Sequence, residues 1–251
     1  MKTNLMQATQ TSDSPRRVGI VAALKREIWP LVQGWTVRQA EYEGRKFEFF
    51  ESGKAVVLCG GIGRAAALFA TKVMVDQYEP IALISCGLSG SIIPGIPAGK
   101  LIEAARVIDV AAAKSYSTAS GDATLLTVDR VLGANEKLRL AEKYRAQAVD
   151  MEAAAVAEVA VASNLPFLAI KAISDELDFP MPPMDRFINA DGSFANARFA
   201  MYVAMRPAQW HMLLRLAQNS ATAAKNLCQH LQQLIETQEF AISAIESKRT
   251  V

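Results

Sequence analysis

The sequence predicts an α/β fold with three layers, α/β/α, in which helices cover both faces of a mixed, largely parallel central sheet. Three observations favour this fold. Short apolar runs that are typical of strands alternate with longer helical patterns. Several of the strand-like runs, such as PIALISCG at 80–87, are continuously apolar, which indicates strands buried on both faces. The 251 residues are 51% hydrophobic, enough to form a sizeable core.

The elements are assigned in order from apolar periodicity and turn residues. The predicted strands are 17–24, 45–52, 55–61, 80–87, a stretch within 99–112, 125–131 and 166–175. The predicted helices are 61–78, 135–144, 151–164 and a long amphipathic helix at 206–238, while 25–35 begins as a helix or a loop. Residues 1–16 are polar and predict a disordered leader before a single domain at 17–240.

Charge and cysteine content argue against several classes of protein. The net charge is +2 without a long basic run, so nucleic acid is not expected as the main partner. Cys59, Cys86 and Cys228 lie far apart, which indicates neither a disulfide framework nor a zinc site and favours a reducing, cytoplasmic location. His211 and His230 are the only histidines, so a Ser-His-Asp or Cys-His mechanism has few candidates.

Glycine-rich segments follow two predicted strands, at the sheet edge where open α/β proteins bind ligands. In GGIGR at 60–64, Gly63 and Arg64 are candidate ligand contacts, although a tight strand-to-helix turn explains the glycines about as well. CGLSGS at 86–91 is predicted to be a second turn of small residues. Its candidate contacts are Gly87, Ser89 and Gly90.

Three carboxylates are expected at the same edge. Glu27 follows the first strand, and Asp175 lies at the end of 166–175, where a helix-cap role is the alternative. Glu152 begins an alanine-rich helix, where it would also suit the positive end of the helix dipole, and Asp150 is a candidate N-cap. Paired carboxylates are the usual groups for breaking glycosidic bonds.

The order of these motifs resembles the nucleoside phosphorylase and methylthioadenosine/S-adenosylhomocysteine nucleosidase superfamily. The resemblance spans roughly residues 17–178 and is carried by the segments GIVAALKRE, GGIGRAAA, SCGLSGS, VDMEAAAVA and PFLAIKAISD. The most specific part is the pair formed by the last two segments. The resemblance implies cleavage of the N-glycosidic bond of a purine nucleoside, with no metal or cofactor. A homo-oligomer is expected by the same analogy.

The resemblance also implies a role for each matching residue. Glu27 matches a water-activating glutamate, Glu152 the glutamate that holds the ribose hydroxyls, and Met151 a neighbour that packs beside the sugar. Asp175, preceded by Ser174, matches the acid that protonates the leaving purine at N7. Asp175 must then hold a proton, which burial near other carboxylates would favour. A carboxylate near the ribose would stabilise the cationic transition state.

The sequence departs from the nucleosidase pattern around the expected pocket. Only residues 111–124 separate VIDV from LLTVD, where methylthioadenosine nucleosidases are much longer, so we expect a more open pocket and a different or larger 5′ group. Val131 lies near the position of the base-stacking aromatic residue, and Leu88 replaces a serine.

Hydrolysis is expected, with phosphorolysis as the alternative. Retention of Glu27 favours water as the nucleophile, and Ala82 lies where many phosphorylases have a phosphate-binding arginine. Lys25, Arg26 and Arg64 place positive charge nearby, so phosphate stays open as a co-substrate. The other interpretation of these three cations is solvated charge at helix ends.

The C-terminal region resembles the hopanoid-associated branch of the superfamily, through MPP at 181–183, DG at 191–192 and the pattern at 206–217. That branch is implicated in removing adenine from adenosylhopane, a triterpenoid lipid joined to adenosine at its 5′ carbon. The amphipathic segment 198–218 mixes Arg, Trp, Met and Leu, which predicts either a peripheral membrane contact or packing on the sheet.

Two alternatives to the lipid-linked substrate stay open. The first is a plain methylthioadenosine/S-adenosylhomocysteine nucleosidase, against which the short central segment argues. The second is a non-catalytic protein that binds purine nucleosides, against which the retention of Glu27, Glu152 and Asp175 argues.

Overall fold

The computed structural model describes residues 17–237, whose strands form one ten-stranded sheet. The strands are β1 Val18–Ala22, β2 Thr36–Tyr42, β3 Arg45–Glu51, β4 Ala55–Cys59, β5 Leu83–Ser91, β6 Leu101–Asp109, β7 Lys114–Ser117, β8 Ala123–Thr127, β9 Ala148–Asp150 and β10 Phe167–Asp175. The helices are α1 Lys25–Val32, α2 Arg64–Tyr78, α3 Ala134–Tyr144, α4 Ala153–Ala162, α5 Asn196–Ala204 and α6 Trp210–Thr237. The predicted leader at 1–16 and residues 238–240 of the predicted domain lie outside the described residues.

The sheet has the order β10-β6-β8-β9-β5-β1-β4-β3-β2, with β7 paired to β6. Parallel pairs join β4 to β1, β1 to β5, β5 to β10, β6 to β8 and β8 to β9. Antiparallel pairs join β2 to β3, β3 to β4, β5 to β9, β6 to β7 and β6 to β10. Because β5 pairs with both β9 and β10, the strands β5, β9, β8, β6 and β10 close into a ring.

Helices cover both faces of the sheet, which confirms the predicted three-layer fold. The helices α2 and α4 contribute Met74 and Val156 to one apolar cluster, and α1 and α6 contribute Ile28 and Leu227 to another. The strand β1 is buried throughout and supplies side chains to both clusters, as its continuously apolar sequence predicts. Within 17–237 no helix is long and apolar enough to cross a membrane.

The predicted turn at 86–91 is wrong, because β5 continues as a strand through CGLSGS to Ser91. Residues 83–90 pair with β10, and Gly90 and Ser91 also pair with β9, so neighbouring strands hold these small residues in an extended conformation. The glycines therefore do not turn the chain. They remove side chains from a strand that crosses the floor of the site.

Other differences concern weakly apolar segments. The strand β2, with the sequence TVRQAEY, has no buried residue. It forms a hairpin with β3, and the turn consists of Glu43 and Gly44, both at positive φ. The short strands β7 and β9 and the helix α5 were also not predicted. The long C-terminal helix begins at Trp210 and not at 206, because Pro207–Gln209 form a separate 3₁₀ turn.

Candidate active site

A cavity of about 480 Å³ lies beside the carboxyl ends of β5, β8, β9 and β10 and the segment that follows β1. A cavity of this size at the ends of parallel strands is typical of a small-molecule site in an α/β protein. The sequence-predicted residues that line it are Glu27, Ser89, Gly90, Val131, Met151, Glu152, Ser174 and Asp175. The other three predicted contacts, Gly63, Arg64 and Gly87, do not line it.

Glu27 enters the cavity from the first turn of α1, directly after β1. Its side chain is buried, and its Oε2 atom has no hydrogen-bond partner among residues 17–237. Burial raises the pKa of Glu27, although the charges of Lys171 and Arg26 oppose the rise. A carboxylate of increased basicity in the cavity wall is suited to take a proton from a bound water.

Gly87 makes room for this carboxylate. A Cβ atom at position 87 would lie 2.9 Å from Glu27 Oε2, and the φ angle of +146° also disfavours a side chain. Gly87 therefore acts on the site through Glu27 and not through a backbone contact with a ligand.

Glu152 lies between β9 and α4 but does not cap the helix. Its Oε1 accepts a hydrogen bond from the amide of Gly63 at 2.8 Å, and its Oε2 accepts one from the amide of Met151 at 3.3 Å. The first helical amide, that of Ala153, donates to Asp150 Oδ2 at 2.8 Å. Burial, followed by the charge of Asp150, raises the pKa of Glu152 to about 7.

Lys171 is a buried cation close to Asp150 and Glu152, and the sequence did not predict it as a site residue. Its Nζ lies 2.9 Å from Asp150 Oδ2, and both side chains are at most 1% exposed. Burial opposes the charge of Lys171, but Asp150 and Glu152 together raise its pKa above the ordinary value. A single lysine within the apolar run FLAIKAIS is the sequence signal that identifies such a residue.

Asp175 ends β10, where a β-bulge shifts the register between Ile173 and Asp175. Bulges of this kind redirect side chains and are common beside active sites. The Oδ1 atom of Asp175 accepts a hydrogen bond from Ser174 Oγ at 2.8 Å, and Oδ2 lies 2.7 Å from Lys137 Nζ. The sequence predicted other carboxylates beside Asp175, but the group that forms an ion pair with it is the ammonium of Lys137.

The glycine loop after β4 contacts the C-terminal DG turn. The amide of Ile62 donates to the carbonyl of Gly192 at 2.7 Å, and a Cβ at Gly61 would lie 3.0 Å from the same oxygen. The neighbouring amide of Gly63 donates a hydrogen bond to Glu152 Oε1. Close approach of two backbones, and of one backbone to Glu152, therefore accounts for the glycines of this loop.

Two of the three candidate phosphate-binding cations are paired within the protein. The Nζ atom of Lys25 lies 2.9 Å from Glu48 Oε2. The Nε atom of Arg64 lies 3.0 Å from Asp109 Oδ2, and the same guanidinium also forms an ion pair with Glu158. Arg26 lines the cavity, and its guanidinium lies 5.3 Å from the ring centre of Phe194.

The rest of the cavity wall is largely apolar. Val131 and Leu88 line it, as do side chains of the C-terminal region. The latter are Met181, Met184, Phe199, Leu213, Leu216, Ala217, Ala221 and Ala224. One polar atom in the wall, the buried hydroxyl of Ser89, has no hydrogen-bond partner within the described part of the chain.

Comparisons with known proteins agree with this fold and site. Residues 110–204 match the model of the phosphorylase superfamily. A 5′-methylthioadenosine/S-adenosylhomocysteine nucleosidase from Listeria monocytogenes is 30% identical over 199 residues, which are 63% of this chain and 85% of the relative. The chain belongs to the phosphorylase superfamily. A nucleosidase of the same name from Actinobacillus succinogenes is 26% identical over 200 residues, which are 64% of this chain and 86% of the relative.

Two solved structures share the fold. A nucleosidase from Neisseria meningitidis in complex with methylthio-immucillin-A superposes with a TM-score of 0.66 and 19% identity, covering 88% of this chain and 99% of that one. Futalosine hydrolase from Helicobacter pylori gives a TM-score of 0.64 and 19% identity over the same shares. At this identity the likeness concerns the fold alone.

Proposed function

We propose that this member of the phosphorylase superfamily hydrolyses the N-glycosidic bond of an adenine nucleoside that carries a large apolar 5′ group, with adenosylhopane as the candidate substrate. Family membership makes the chain an enzyme that cleaves nucleosides, and the named relatives support a purine nucleoside as the substrate. The observation that carries the proposal is the buried carboxylate of Glu27 in the wall of the same cavity as Glu152 and Asp175.

Each carboxylate has a place in the proposed reaction. As the bond between C1′ and N9 breaks, its electron pair moves to the purine and positive charge develops on the ribose. Glu152 binds the ribose hydroxyls and stabilises this charge. The oxygen of a water molecule forms the new bond to C1′ while Glu27 takes the water proton. Asp175 lies at the purine end, where the departing base must gain a proton. The reaction as proposed uses no metal or organic cofactor.

Water is favoured over phosphate as the nucleophile for an electrostatic reason. An anionic phosphate would have to approach the buried Glu27 carboxylate, and like charges at close range repel strongly in a poorly hydrated site. Of the three cations considered, Arg26 is the one without a salt-bridge partner in the described structure, and its side chain is exposed. Phosphate as a co-substrate is therefore the second candidate, and it depends on Arg26.

The apolar part of the wall supports a large 5′ substituent. Met181 and the α6 residues Leu213, Leu216 and Ala217 line the cavity that also contains Glu27 and Asp175. These side chains belong to the segments that resemble the hopanoid-associated branch, and apolar side chains bind a hydrocarbon tail by removing it from water. A 5′-methylthio group would cover less of this wall, which favours the longer tail over the plain nucleosidase.

A base-release assay tests the proposal. Free adenine is measured after incubation with adenosine, methylthioadenosine and a 5′-alkyl adenosine with a long apolar tail, each with and without phosphate. We expect release without phosphate and the highest kcat/KM for the long tail. Strict dependence on phosphate would make the protein a phosphorylase, and a preference for methylthioadenosine would make it a plain nucleosidase. Tight binding without release would indicate a nucleoside-binding protein.

We also propose that the enzyme meets its lipid-linked substrate at a membrane surface. Four large apolar side chains on α5, directly after it and at the start of α6 are exposed and are called the C-terminal patch: Met201, Met205, Trp210 and Leu214. Arg198 and Arg206 lie on the same segment, and this combination suits an anionic lipid surface. The later part of α6 instead packs on the sheet through Leu227 and Leu231. A homo-oligomer built through the same patch is the alternative.

A further inference from the structure

Each of the four backbone amides of the glycine loop at 60–63 donates a hydrogen bond. The first two donate to the carbonyls of Ala22 and Ala23, where β1 ends, at 2.9 and 3.0 Å. The third donates to Gly192 in the DG turn at 2.7 Å, and the fourth donates to Glu152 Oε1 at 2.8 Å. The glycine loop thereby connects β1, the C-terminal region and Glu152.

The side chain that joins this loop to the DG turn is Arg45, the first residue of β3. Its Nη2 atom donates to the carbonyl of Gly60 at 3.0 Å and to the carbonyl of Asp191 at 2.9 Å. The guanidinium lies 5.3 Å from the ring centre of Phe47 and 5.4 Å from that of Phe69. The two rings attract the cation and restrict its position, so one nitrogen atom bridges two segments that are far apart in the sequence.

Arg45 differs from the arginines that pair with carboxylates. Five other arginines form salt bridges within residues 17–237, but Arg45 forms none in that part of the chain. Its side chain is half-buried, and its donors bind backbone carbonyls instead. A solvated surface charge is the simpler interpretation of an arginine beside a hairpin turn, but it leaves both hydrogen bonds unexplained.

The glycine loop and the DG turn pack closely enough to move together. A Cβ atom at Gly61 would lie 3.0 Å from the carbonyl oxygen of Gly192, and a Cβ atom at Gly192 would lie 2.6 Å from Ala66 Cβ. Because close-packed segments transmit displacements, the position of the DG turn determines that of the Gly63 amide. An amide that donates to a carboxylate orients it and favours its charged form, so this position matters for Glu152.

We propose that Arg45 is a positioning residue of the candidate active site. By holding the glycine loop against the DG turn, Arg45 keeps the amide of Gly63 where it orients Glu152 toward the ribose hydroxyls. Arg45 does not line the cavity, so it acts through Glu152 and does not contact the nucleoside. This proposal rests on the proposed function, because it assigns Arg45 to the binding of ribose in that reaction.

The test compares Arg45→Met and Arg45→Lys with Lys46→Met, which changes the exposed neighbour on the same strand. Adenine release is measured from the best ribonucleoside substrate of the wild type and from its 2′,3′-dideoxy analogue. The analogue lacks the hydroxyls that Glu152 is proposed to bind, so its cleavage depends much less on how Glu152 is oriented. Loss of these electron-withdrawing groups also makes the glycosidic bond easier to break, which keeps release measurable.

We expect Arg45→Met to lower kcat/KM for the ribonucleoside about 10²-fold, because small displacements of groups that position a substrate have large effects on rate. For the dideoxy analogue the same variant should stay within about threefold of the wild type, since the coupled group is not used. The ammonium of a lysine can donate to both carbonyls, so Arg45→Lys should remain within about tenfold of the wild type on the ribonucleoside. Lys46→Met should match the wild type on both substrates.

Two results with an active wild type would overturn the assignment. Wild-type kcat/KM in Arg45→Met would remove Arg45 from the site, and an equal loss with both substrates would show that Arg45 supports the fold without acting through Glu152. If Arg45→Met does not fold, the ratio of the two losses in Arg45→Lys decides in the same way. A wild type that releases no base from either substrate would instead contradict the proposed function itself.

Discussion

Two buried lysines share the candidate site with four carboxylates, and each lysine is paired with one of them. Lys171 is paired with Asp150, and Lys137 is paired with Asp175. Glu27 and Glu152 have no salt-bridge partner in the described part of the chain, and burial raises the pKa of both. The residues expected to handle water and ribose are thus the ones whose protonation the fold perturbs, as is common at functional sites.

Replacement of Glu152 by Gln should stabilise the fold at alkaline pH and weaken ribose binding. Because the pKa of Glu152 is raised from 4.5 to about 7, the folded state binds more protons than the unfolded state between these values. The free energy of unfolding therefore falls as pH rises through that window. We expect the free energy of unfolding of Glu152→Gln to exceed that of the wild type by on the order of 2 kcal/mol at pH 8. At pH 4 the two free energies should differ little.

Urea unfolding at the two pH values measures this difference, with Glu142→Gln, an exposed position on α3, as the control. An equal effect at pH 4 and pH 8 would contradict the charge-based explanation. Unchanged nucleoside affinity and turnover in Glu152→Gln would remove Glu152 from the binding site.

Replacement of Asp175 by Asn should nearly abolish base release while binding is largely kept. The carboxamide has a similar shape, but it removes the negative charge that holds Lys137 in place. We expect kcat to fall at least about 10²-fold, with a dissociation constant for the substrate within about tenfold of the wild type. Single-turnover kinetics and calorimetric titration measure the two quantities. Wild-type turnover would exclude Asp175 from the mechanism.

At the scale of secondary-structure elements, the site depends on β5 and β10 running side by side. Their parallel pairing places Gly90 opposite Asp175, and the bulge in β10 at this point turns the carboxylate toward the cavity. The helices α1 and α3 each add one charged side chain, Glu27 and Lys137, over glycines of β5. A strand without side chains at these positions is what lets helix-borne groups reach the centre of the site.

Replacement of Gly90 by Ala should therefore damage activity more than stability. The added methyl group would lie 2.8 Å from Asp175 Oδ2 and 3.0 Å from Lys137 Nζ and would separate the pair. We expect kcat/KM to fall at least about tenfold, since small displacements of catalytic groups have large effects on rate. Gly53→Ala, where no atom lies within 4 Å of the new methyl, is the matched control. Equal activity of the two variants would show that the pair tolerates the methyl group.

At the scale of the whole molecule, the two ends of α6 differ in what they contact. The later part packs against the sheet through side chains such as Leu227 and Leu231. The first turns leave Trp210 and Leu214 exposed, next to Leu213 and Leu216 in the cavity wall. An apolar surface that adjoins the cavity is suited to the passage of a lipid-linked substrate from a membrane.

Replacement of Leu214 by Ser should weaken binding to anionic vesicles. Leu214 is 63% exposed in the C-terminal patch, and Val161, 66% exposed on α4, offers a matched control, Val161→Ser. We expect Leu214→Ser to lower the partition coefficient on phosphatidylglycerol vesicles about tenfold, consistent with loss of 1–2 kcal/mol of apolar burial. Sedimentation with vesicles measures binding, and light scattering measures mass. A loss of oligomer without a change in vesicle binding would assign the patch to a second copy of the chain.

The sequence by itself determined the fold class, the family and the positions of Glu27, Glu152 and Asp175, because apolar periodicity and short motifs are local properties of the chain. It did not identify Lys137 as part of the site, since a lysine in the helix pattern NEKLRLAEKY is indistinguishable from a solvated surface residue. Only the tertiary structure brought α3 over β5 and β10 and buried that lysine beside Asp175. The same packing extended β5 through CGLSGS, because pairing with two neighbouring strands overrides the turn tendency of its glycines.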